Sequence, residues 1–179
     1  MKALRFKILL QVHERRIFTY ALYFLGNRAD AQDACQEVLL RVWRHLDELQ
    51  WDAAGPWIMR VTRNLCVDII RTRKHHVALF DENVVALNEP MHNPAHDPLE
   101  IAHRRLMQEQ VSAALLRLPE LQRSAVILRD VQDLSYNQIS AILQLPLNSV
   151  KVYILRGRQA LRKIICQQYR GEMEHVRKA

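Results

Sequence analysis

The chain has 179 residues, which is enough for one ordinary domain or two small ones. Its 26 Lys and Arg residues outnumber 19 Asp and Glu residues, and the net charge of +7 favours a polyanionic partner. No stretch has the length and apolarity of a signal peptide or a membrane span, and the three cysteines form no C-x-x-C pair, so secretion, membrane insertion, a disulfide framework and a zinc knuckle are not expected.

Only four glycines occur among abundant Leu, Ala, Arg and Gln, and this composition predicts an all-α protein. Cys35, Cys66 and Cys166 are far apart and odd in number, so we interpret them as buried thiols of a cytoplasmic protein.

Three helices are predicted in the first 76 residues, at roughly 5–25, 31–47 and 56–74. Gly26 and Asn27 are expected to close the first, Asp30 to cap the second, and Pro56 to start the third.

The second predicted helix has one apolar face and one polar strip. The apolar face is expected to be core and comprises Ala31, Ala34, Cys35, Val38, Leu39, Val42 and Leu46. The opposite strip comprises Asp33, Gln36, Glu37, Leu40 and Arg44. Helical spacing alone leaves open whether this strip is ordinary solvated surface or a binding site.

The third predicted helix has an inward stripe of Ile58, Val61, Leu65 and Ile69. On its other side, a basic arc suited to phosphate contacts comprises Arg60, Arg63, Asn64, Arg71 and Lys74. Trp51 and Trp57 are expected in or beside the preceding loop, where they fit either stacking on unpaired bases or packing in the core.

An acidic segment separates two basic blocks. Residues 75–103 contain five acidic residues, no Lys or Arg, and three prolines, which predicts a flexible linker without stable helix. The flanking blocks, 1–74 and 104–179, carry net charges of +5 and +7. We therefore predict two small helical domains, 1–76 and 104–179, joined by an acidic linker over 77–103.

The last block has the pattern of a helix-turn-helix, with helices near 104–117, 120–130, 136–143 and 149–167. Ser135 and Gln138 form a capping box, residues 145–147 break the helix, and Asn148 or Ser149 is expected to cap the last one.

The last helix has an apolar face and a basic face suited to a major groove. Its inward face comprises Val150, Ile154, Gly157, Leu161, Ile164 and Ile165, and its outward face comprises Lys151, Val152, Leu155, Arg156, Gln159, Arg162 and Lys163. Arg and Lys can contact guanine edges or phosphates, whereas Val and Leu suit thymine methyl groups. Gly157 on the inward face predicts a close approach of the preceding helix.

Two ordered motif blocks resemble the extracytoplasmic-function (ECF) sigma factors of bacterial RNA polymerase, within the sigma-70 family. "LGNRADAQDACQEVLLRVWRHLDEL" with "PWIMRVTRNLCVDIIRTRK" is similar to sigma region 2, and "ALLRLPELQRSAVILRDVQDLSYNQISAILQLPLNSVKVYILRGRQALRKI" is similar to region 4. The resemblance implies a transcription initiation factor with no chemistry and no cofactor of its own. Its implied partners are core polymerase, through the clamp helices of the largest subunit and the flap, promoter DNA, and an anti-sigma factor.

The resemblance also implies roles for particular residues. Docking on the clamp helices falls to Asp33, Gln36, Glu37 and Leu40. Binding and melting of the −10 element fall to Trp51, Trp57, Arg60, Arg63, Asn64, Arg71 and Lys74. Contacts with the −35 duplex fall to Asn148, Ser149, Lys151, Val152, Tyr153, Leu155, Arg156 and Arg158.

Some positions depart from the family pattern. Gln32 replaces a common Glu, Gln144 replaces the usual turn Gly and is strained if that turn is left-handed, and Val152-Tyr153 replaces a common Ser-Arg pair. The −35 sequence therefore cannot be transferred from other members.

Two other functional classes are compatible with parts of the sequence. A stand-alone helix-turn-helix regulator accounts for the last block but not for the polar strip or the first basic helix. An enzyme or metal protein is prompted by His92 and His96, but Pro94 between them disfavours a helical ligand pair, and no catalytic triad or phosphate loop is present.

Overall fold

The computed structural model describes the backbone of residues 2–77, 107 and 109–178, and side chains within 2–73, 107 and 109–168. These residues form helices and turns, and none of them forms a strand. Val77, the first residue of the predicted linker, is helical instead, and residues 78–103 with their histidines lie outside the described residues. We call α1–α3 the N-terminal half and α4–α7 the C-terminal half.

The N-terminal half is a bundle of three helices, α1 (Lys2–Leu25), α2 (Arg28–Arg44) and α3 (Trp51–Val77). Its own core is apolar and includes Leu9, Ile17, Val38, Leu46 and Ile58. The predicted apolar face of α2 is confirmed, because Ala31, Ala34, Cys35, Val38 and Val42 are all buried.

Two predicted helix starts in this half are wrong. Asn27, not Asp30, caps α2, since its side-chain oxygen accepts a hydrogen bond from the Asp30 N–H at 3.2 Å. Helix α3 begins at Trp51, and Pro56 lies inside it. A bond from the Ala53 N–H to the Gln50 carbonyl, at 3.2 Å, forms a tight first turn upstream of the proline.

The inward face of α3 is also rotated from the predicted one. Ile58 is buried, but Val61, Leu65 and Ile69 are only half-buried. The other enclosed positions of α3, within its described side chains, are Ala54, Met59, Thr62, Cys66 and Val67. Several of them belong to a cluster shared with the C-terminal half, which explains why the helix buries more than one stripe.

The C-terminal half contains α4 (109–116), α5 (Glu120–Val126), α6 (Tyr136–Leu143) and α7 (Leu147–Lys178). The predicted helix over 120–130 is instead α5 followed by a π-helical turn, Ile127–Val131. This wider turn is closed by a bond from the Gln132 N–H to the Ile127 carbonyl at 3.0 Å.

The helix-turn-helix is present, and only the bounds of its last helix differ from the prediction. Ser135 and Gln138 form the predicted capping box, and Gln144 adopts a left-handed conformation with φ of 55°, so the expected strain is real. Helix α7 begins at Leu147, so Asn148 and Ser149 lie in its first turn and neither is the cap.

The three cysteines differ in burial. Cys35 and Cys66 are buried, as expected, whereas Cys166 is exposed, contrary to expectation. Burial raises the pKa of the Cys66 thiol to about 12, which keeps it protonated and unreactive.

Gly157 lies against α5, not against the preceding helix α6. A Cβ added there would be 2.6 Å from Val126 Cγ2 and 3.1 Å from the Gln122 carbonyl oxygen. The glycine therefore lets α5 and α7 approach closely.

We expect Gly157→Ala to lower the free energy of unfolding by about 1–3 kcal/mol, because overpacking outweighs the better helix propensity of Ala. Urea denaturation measures this, and Gln159→Ala on the exposed face of the same helix is the control. A variant more stable than the parent would contradict the close packing.

Candidate nucleic-acid interface

The polar strip of α2 is free on the surface of the described protein. Asp33 and Gln36 are exposed, Leu40 is 51% exposed, and Glu37 is half-buried. The Arg41 side chain donates to the Glu37 carboxylate at 2.8 Å. A single exposed leucine among acidic and amide groups is also common on ordinary solvated faces, so the geometry of the strip leaves both interpretations open.

A groove runs beside this strip, between α1 and α2. Its volume is about 590 Å³, and Asp33 and Gln36 line it together with Gln11, Glu14 and Arg15 of α1. Sequence reasoning did not identify this α1 wall, because its residues are 20 positions distant in the chain and face α2 only after folding.

The second surface begins at the loop before α3. Trp51 is 50% exposed, and the Arg5 guanidinium lies 5.3 Å from its ring. Trp57 is half-buried and lies inside the helix rather than in a loop. Its ring is edge-on to His45, with 5.7 Å between centroids.

A pocket of about 270 Å³ lies between Trp57 and the loop before α3. It is lined by His45, Glu48, Leu49, Gln50, Ala53 and Trp57. The sequence indicated the tryptophans but not His45 or Glu48. An aromatic wall with polar groups is suited to an unstacked base.

The predicted basic arc on α3 is only partly free. Asn64 and Arg71 are exposed and Arg60 is half-buried. Arg63 is half-buried, donates to Asn64 Oδ1 at 3.0 Å, and has a buried Nε without a partner. The Arg71 side chain contacts the Glu120 carboxylate of the C-terminal half at 3.3 Å. Lys74 is helical, but its side chain lies outside the described part of the chain.

The outward face of α7 is exposed over the predicted positions between Lys151 and Lys163. Asn148, Lys151 and Arg156 are exposed, as are Val152 at 42% and Leu155 at 58%. Ser149 and Tyr153 are half-buried, and Tyr153 packs against the core. This face combines cations with apolar groups, as a major-groove surface requires.

Arg158 differs from the other candidates on this helix. Both its Nε and a terminal nitrogen bond the Asp130 carboxylate, the former at 3.0 Å. This hydrogen bonding raises the pKa of the Arg158 guanidinium. The side chain therefore ties α7 to the π turn in this structure, and a DNA contact by Arg158 would require breaking that pair.

Within the described ranges, no three His, Cys, Asp or Glu side chains are grouped as a metal site would need. Nor does any described helix combine the length and apolarity needed to cross a bilayer. His92 and His96 fall outside those ranges.

Comparison with known proteins gives two ordered family matches. The model of Sigma-70 region 2 matches residues 9–76, and that of Sigma-70 region 4 matches residues 108–161. The chain is 31% identical to the ECF RNA polymerase sigma factor EcfG of Rhodopseudomonas palustris, with 91% of this chain and 85% of that protein covered. It is 35% identical to the ECF sigma factor SigE of Mycolicibacterium smegmatis, but spans only 61% of that relative's length.

Solved structures share the fold. The sigma factor RpoE in complex with the anti-sigma factor NepR from Bartonella quintana superposes with a TM-score of 0.71 at 22% identity, covering 89% of this chain and 96% of that one. CnrH, solved with the cytosolic domain of CnrY, gives a TM-score of 0.67 at 21% identity over 90% and 88% of the two chains.

Proposed function

Since the chain belongs to the ECF sigma factors of the sigma-70 family, we propose that α2 docks on core RNA polymerase while α3 and α7 bind the −10 and −35 promoter elements. The observation that carries this proposal is the presence, in one chain, of an exposed polar strip on α2 and an exposed basic face on α7. A stand-alone regulator needs only the second of these surfaces.

The contact with polymerase is assigned to Asp33, Gln36, Glu37 and Leu40. The clamp helices are the proposed partner on the largest subunit, and the exposed Leu40 supplies the apolar centre that such an interface needs. The flap is the proposed polymerase contact of the C-terminal half.

The −10 element is proposed to meet the N-terminal half as opened single strand. Trp51 and the pocket beside Trp57 accept unstacked bases, while Arg60, Arg63 and Arg71 follow the phosphates. Asn64 and Lys74 extend the same track.

The proposed organisation is a region 2 domain over 1–76, an acidic linker over 77–103 and a region 4 domain over 104–179. The protein acts in the cytoplasm, catalyses no reaction, and leaves RNA synthesis to the polymerase. By analogy with RpoE, which was solved with the anti-sigma factor NepR, an anti-sigma factor is proposed to hold it inactive.

Run-off transcription tests the function directly. Core polymerase with this chain should initiate on a promoter where core alone does not, and the two should co-purify. A chain that binds duplex DNA but neither binds core nor stimulates initiation would be a stand-alone regulator instead.

Arg156→Ala separates base reading from phosphate binding on α7. If the exposed Arg156 reads a base, binding of the matched −35 duplex weakens by about 1–3 kcal/mol and binding of a scrambled duplex changes little. Fluorescence anisotropy at fixed salt measures both affinities. The exposed Gln167→Ala, on the same helix but beyond its outward basic face, is the control, and equal weakening on both duplexes would assign Arg156 to phosphate.

A further inference from the structure

The N-terminal end of α1 lies against the loop that joins α2 to α3. Lys2 Nζ is 2.6 Å from the Asp47 carboxylate, and the Arg5 guanidinium donates a hydrogen bond to the Leu49 carbonyl. Leu49 also lines the pocket beside Trp57. Helix α1 therefore holds the loop that forms one wall of this pocket.

Arg5 also contacts Trp51, the first residue of α3. The guanidinium carbon lies over the indole ring, 5.3 Å from its centroid. A cation at this distance is attracted by the negative potential of the ring face. Trp51 nevertheless remains 50% exposed, so the contact leaves part of the ring open to solvent. One side chain thus contacts both the loop that lines the pocket and the exposed ring that follows this loop.

The position of Arg5 is energetically costly. Its Nε is buried and has no hydrogen-bond partner among the described residues, and a buried N–H without an acceptor is unfavourable. A cation that only added solubility would stay in water, as the exposed Lys7 does on the same helix. The Arg5 guanidinium is instead withdrawn from water to contact Leu49 and Trp51. An unsatisfied buried donor calls for an explanation, and the ordering of the loop and the ring supplies one.

The order of these two groups matters for binding an unpaired strand. A loop and an aromatic side chain that are free to move must be immobilised when a base stacks on the ring, and this loss of freedom weakens binding. When another side chain already holds them in place, binding no longer carries that cost. The Arg5 contact covers one face of the Trp51 ring, and the stacking of a base requires only the other face.

We propose that Arg5 is a positioning residue for the opened −10 strand: it fixes the Leu49 carbonyl and one face of Trp51, and so holds the ring and the pocket loop in place for unpaired bases. This inference rests on the proposed function, in which the N-terminal half binds the −10 element as single strand. Arg5 precedes residues 9–76, which the region 2 model matches, so the role belongs to this chain's own N-terminal turn of α1.

Binding of the −10 strand by holoenzyme tests this role. The probe is a fluorescently labelled single strand that carries the −10 element of a promoter on which the parent holoenzyme initiates, and anisotropy measures its Kd. We expect Arg5→Ala to weaken binding about three- to tenfold, and Trp51→Ala to weaken it about tenfold through the loss of stacking. The double variant should bind within about twofold of Trp51→Ala, because Arg5 acts through the ring.

Salt dependence separates positioning from direct contact with DNA. Loss of a phosphate contact reduces the slope of the logarithm of affinity against that of salt concentration by about 0.7 on a single strand. The slope should be unchanged in Arg5→Ala, because a positioning role involves no phosphate. A reduced slope, or losses that add in the double variant, would assign Arg5 to the DNA backbone and overturn the proposal.

Two further variants control for folding and charge. Arg5→Lys keeps a cation that can reach the ring and the Leu49 carbonyl, so it should restore most of the binding that Arg5→Ala loses. Lys7→Ala removes an exposed cation from the same helix and should bind like the parent. Unchanged affinity for core polymerase verifies that each variant is folded.

The outcomes also separate the role of Arg5 from the proposed function. If the parent holoenzyme initiates while Arg5→Ala binds the strand like the parent, or if Arg5→Lys restores nothing, the positioning role is overturned and the sigma-factor function stands. A parent holoenzyme that initiates on no promoter would overturn the proposed function, and the role of Arg5 with it.

Discussion

Replacing Arg123 with Ala is expected to lower the free energy of unfolding by about 3–5 kcal/mol. The side chain is 6% exposed and donates to three carbonyl oxygens, those of Phe24, Leu116 and Leu118. Its truncation leaves these acceptors buried without a partner, at about 1–3 kcal/mol each before relaxation. It also removes the guanidinium from the Phe24 ring, 5.0 Å away.

Urea unfolding followed by circular dichroism measures the loss, and Arg117→Ala is the control. Arg117 is exposed in the same short stretch, so its truncation should change stability by less than about 0.5 kcal/mol. If Arg123→Ala lowered the free energy of unfolding by less than about 1 kcal/mol, water would be replacing the guanidinium at these carbonyls. Arg123 would then not stabilise the contact between the two halves of the chain.

The burial and hydrogen bonding of Arg123 could not be predicted from the sequence. Its helical neighbours three and four positions on, Val126 and Ile127, are apolar, but no residue nearby in the chain indicates that three carbonyls converge on its side chain after folding. Burial lowers the pKa of its guanidinium, and the compensating bonds come from helix ends 5, 7 and 99 positions away. Such convergence arises only when the chain folds, and it leaves no periodic pattern in the sequence from which it could be predicted.

The faces of single helices were more predictable. Periodicity correctly separated Val38 and Val42 from the polar strip of α2, and Val150 and Ile154 from the basic face of α7. It could not say what covers an apolar position. Cys66 and Val67 of α3 are buried in a cluster that includes residues of the C-terminal half, which no pattern within α3 indicates.

Helix starts were less predictable than helix faces. Pro56 suits a first turn, yet α3 begins five residues earlier because the Gln50–Ala53 bond completes a turn without the proline nitrogen. As a result Trp57 lies on a helix wall of the pocket beside His45, and the candidate −10 site includes side chains that the motif alone did not indicate.

Two opposite electrostatic effects act at the contact between the N-terminal and C-terminal halves. Both halves are basic, with block charges of +5 and +7, so long-range charge opposes their contact. Hydrogen bonds between the halves offset this repulsion, because Arg16 donates to the Gln132 carbonyl and Arg123 donates to the Phe24 carbonyl. Salt should therefore strengthen the contact between the two halves by screening the repulsion.

Simultaneous replacement of Asp33, Gln36 and Glu37 by Ala is expected to weaken binding to core polymerase by about a hundredfold, or about 2.7 kcal/mol. These side chains lie on the exposed strip around Leu40, where a few central contacts carry most of an interface's energy. The fold should survive, because only the Glu37–Arg41 helix pair is lost, and such pairs contribute about 0.2–0.5 kcal/mol.

Titration of fluorescently labelled core with each chain measures the affinity, and thermal unfolding verifies that the variant remains folded. Asp68→Ala, which removes an exposed carboxylate from α3 in the same half, should bind core like the parent. The −35 duplex should still bind the triple variant with unchanged affinity, because α7 is untouched. If core binding were equally tight in the triple variant and the parent, the strip would be ordinary solvated surface and the polymerase would have to dock elsewhere on the chain.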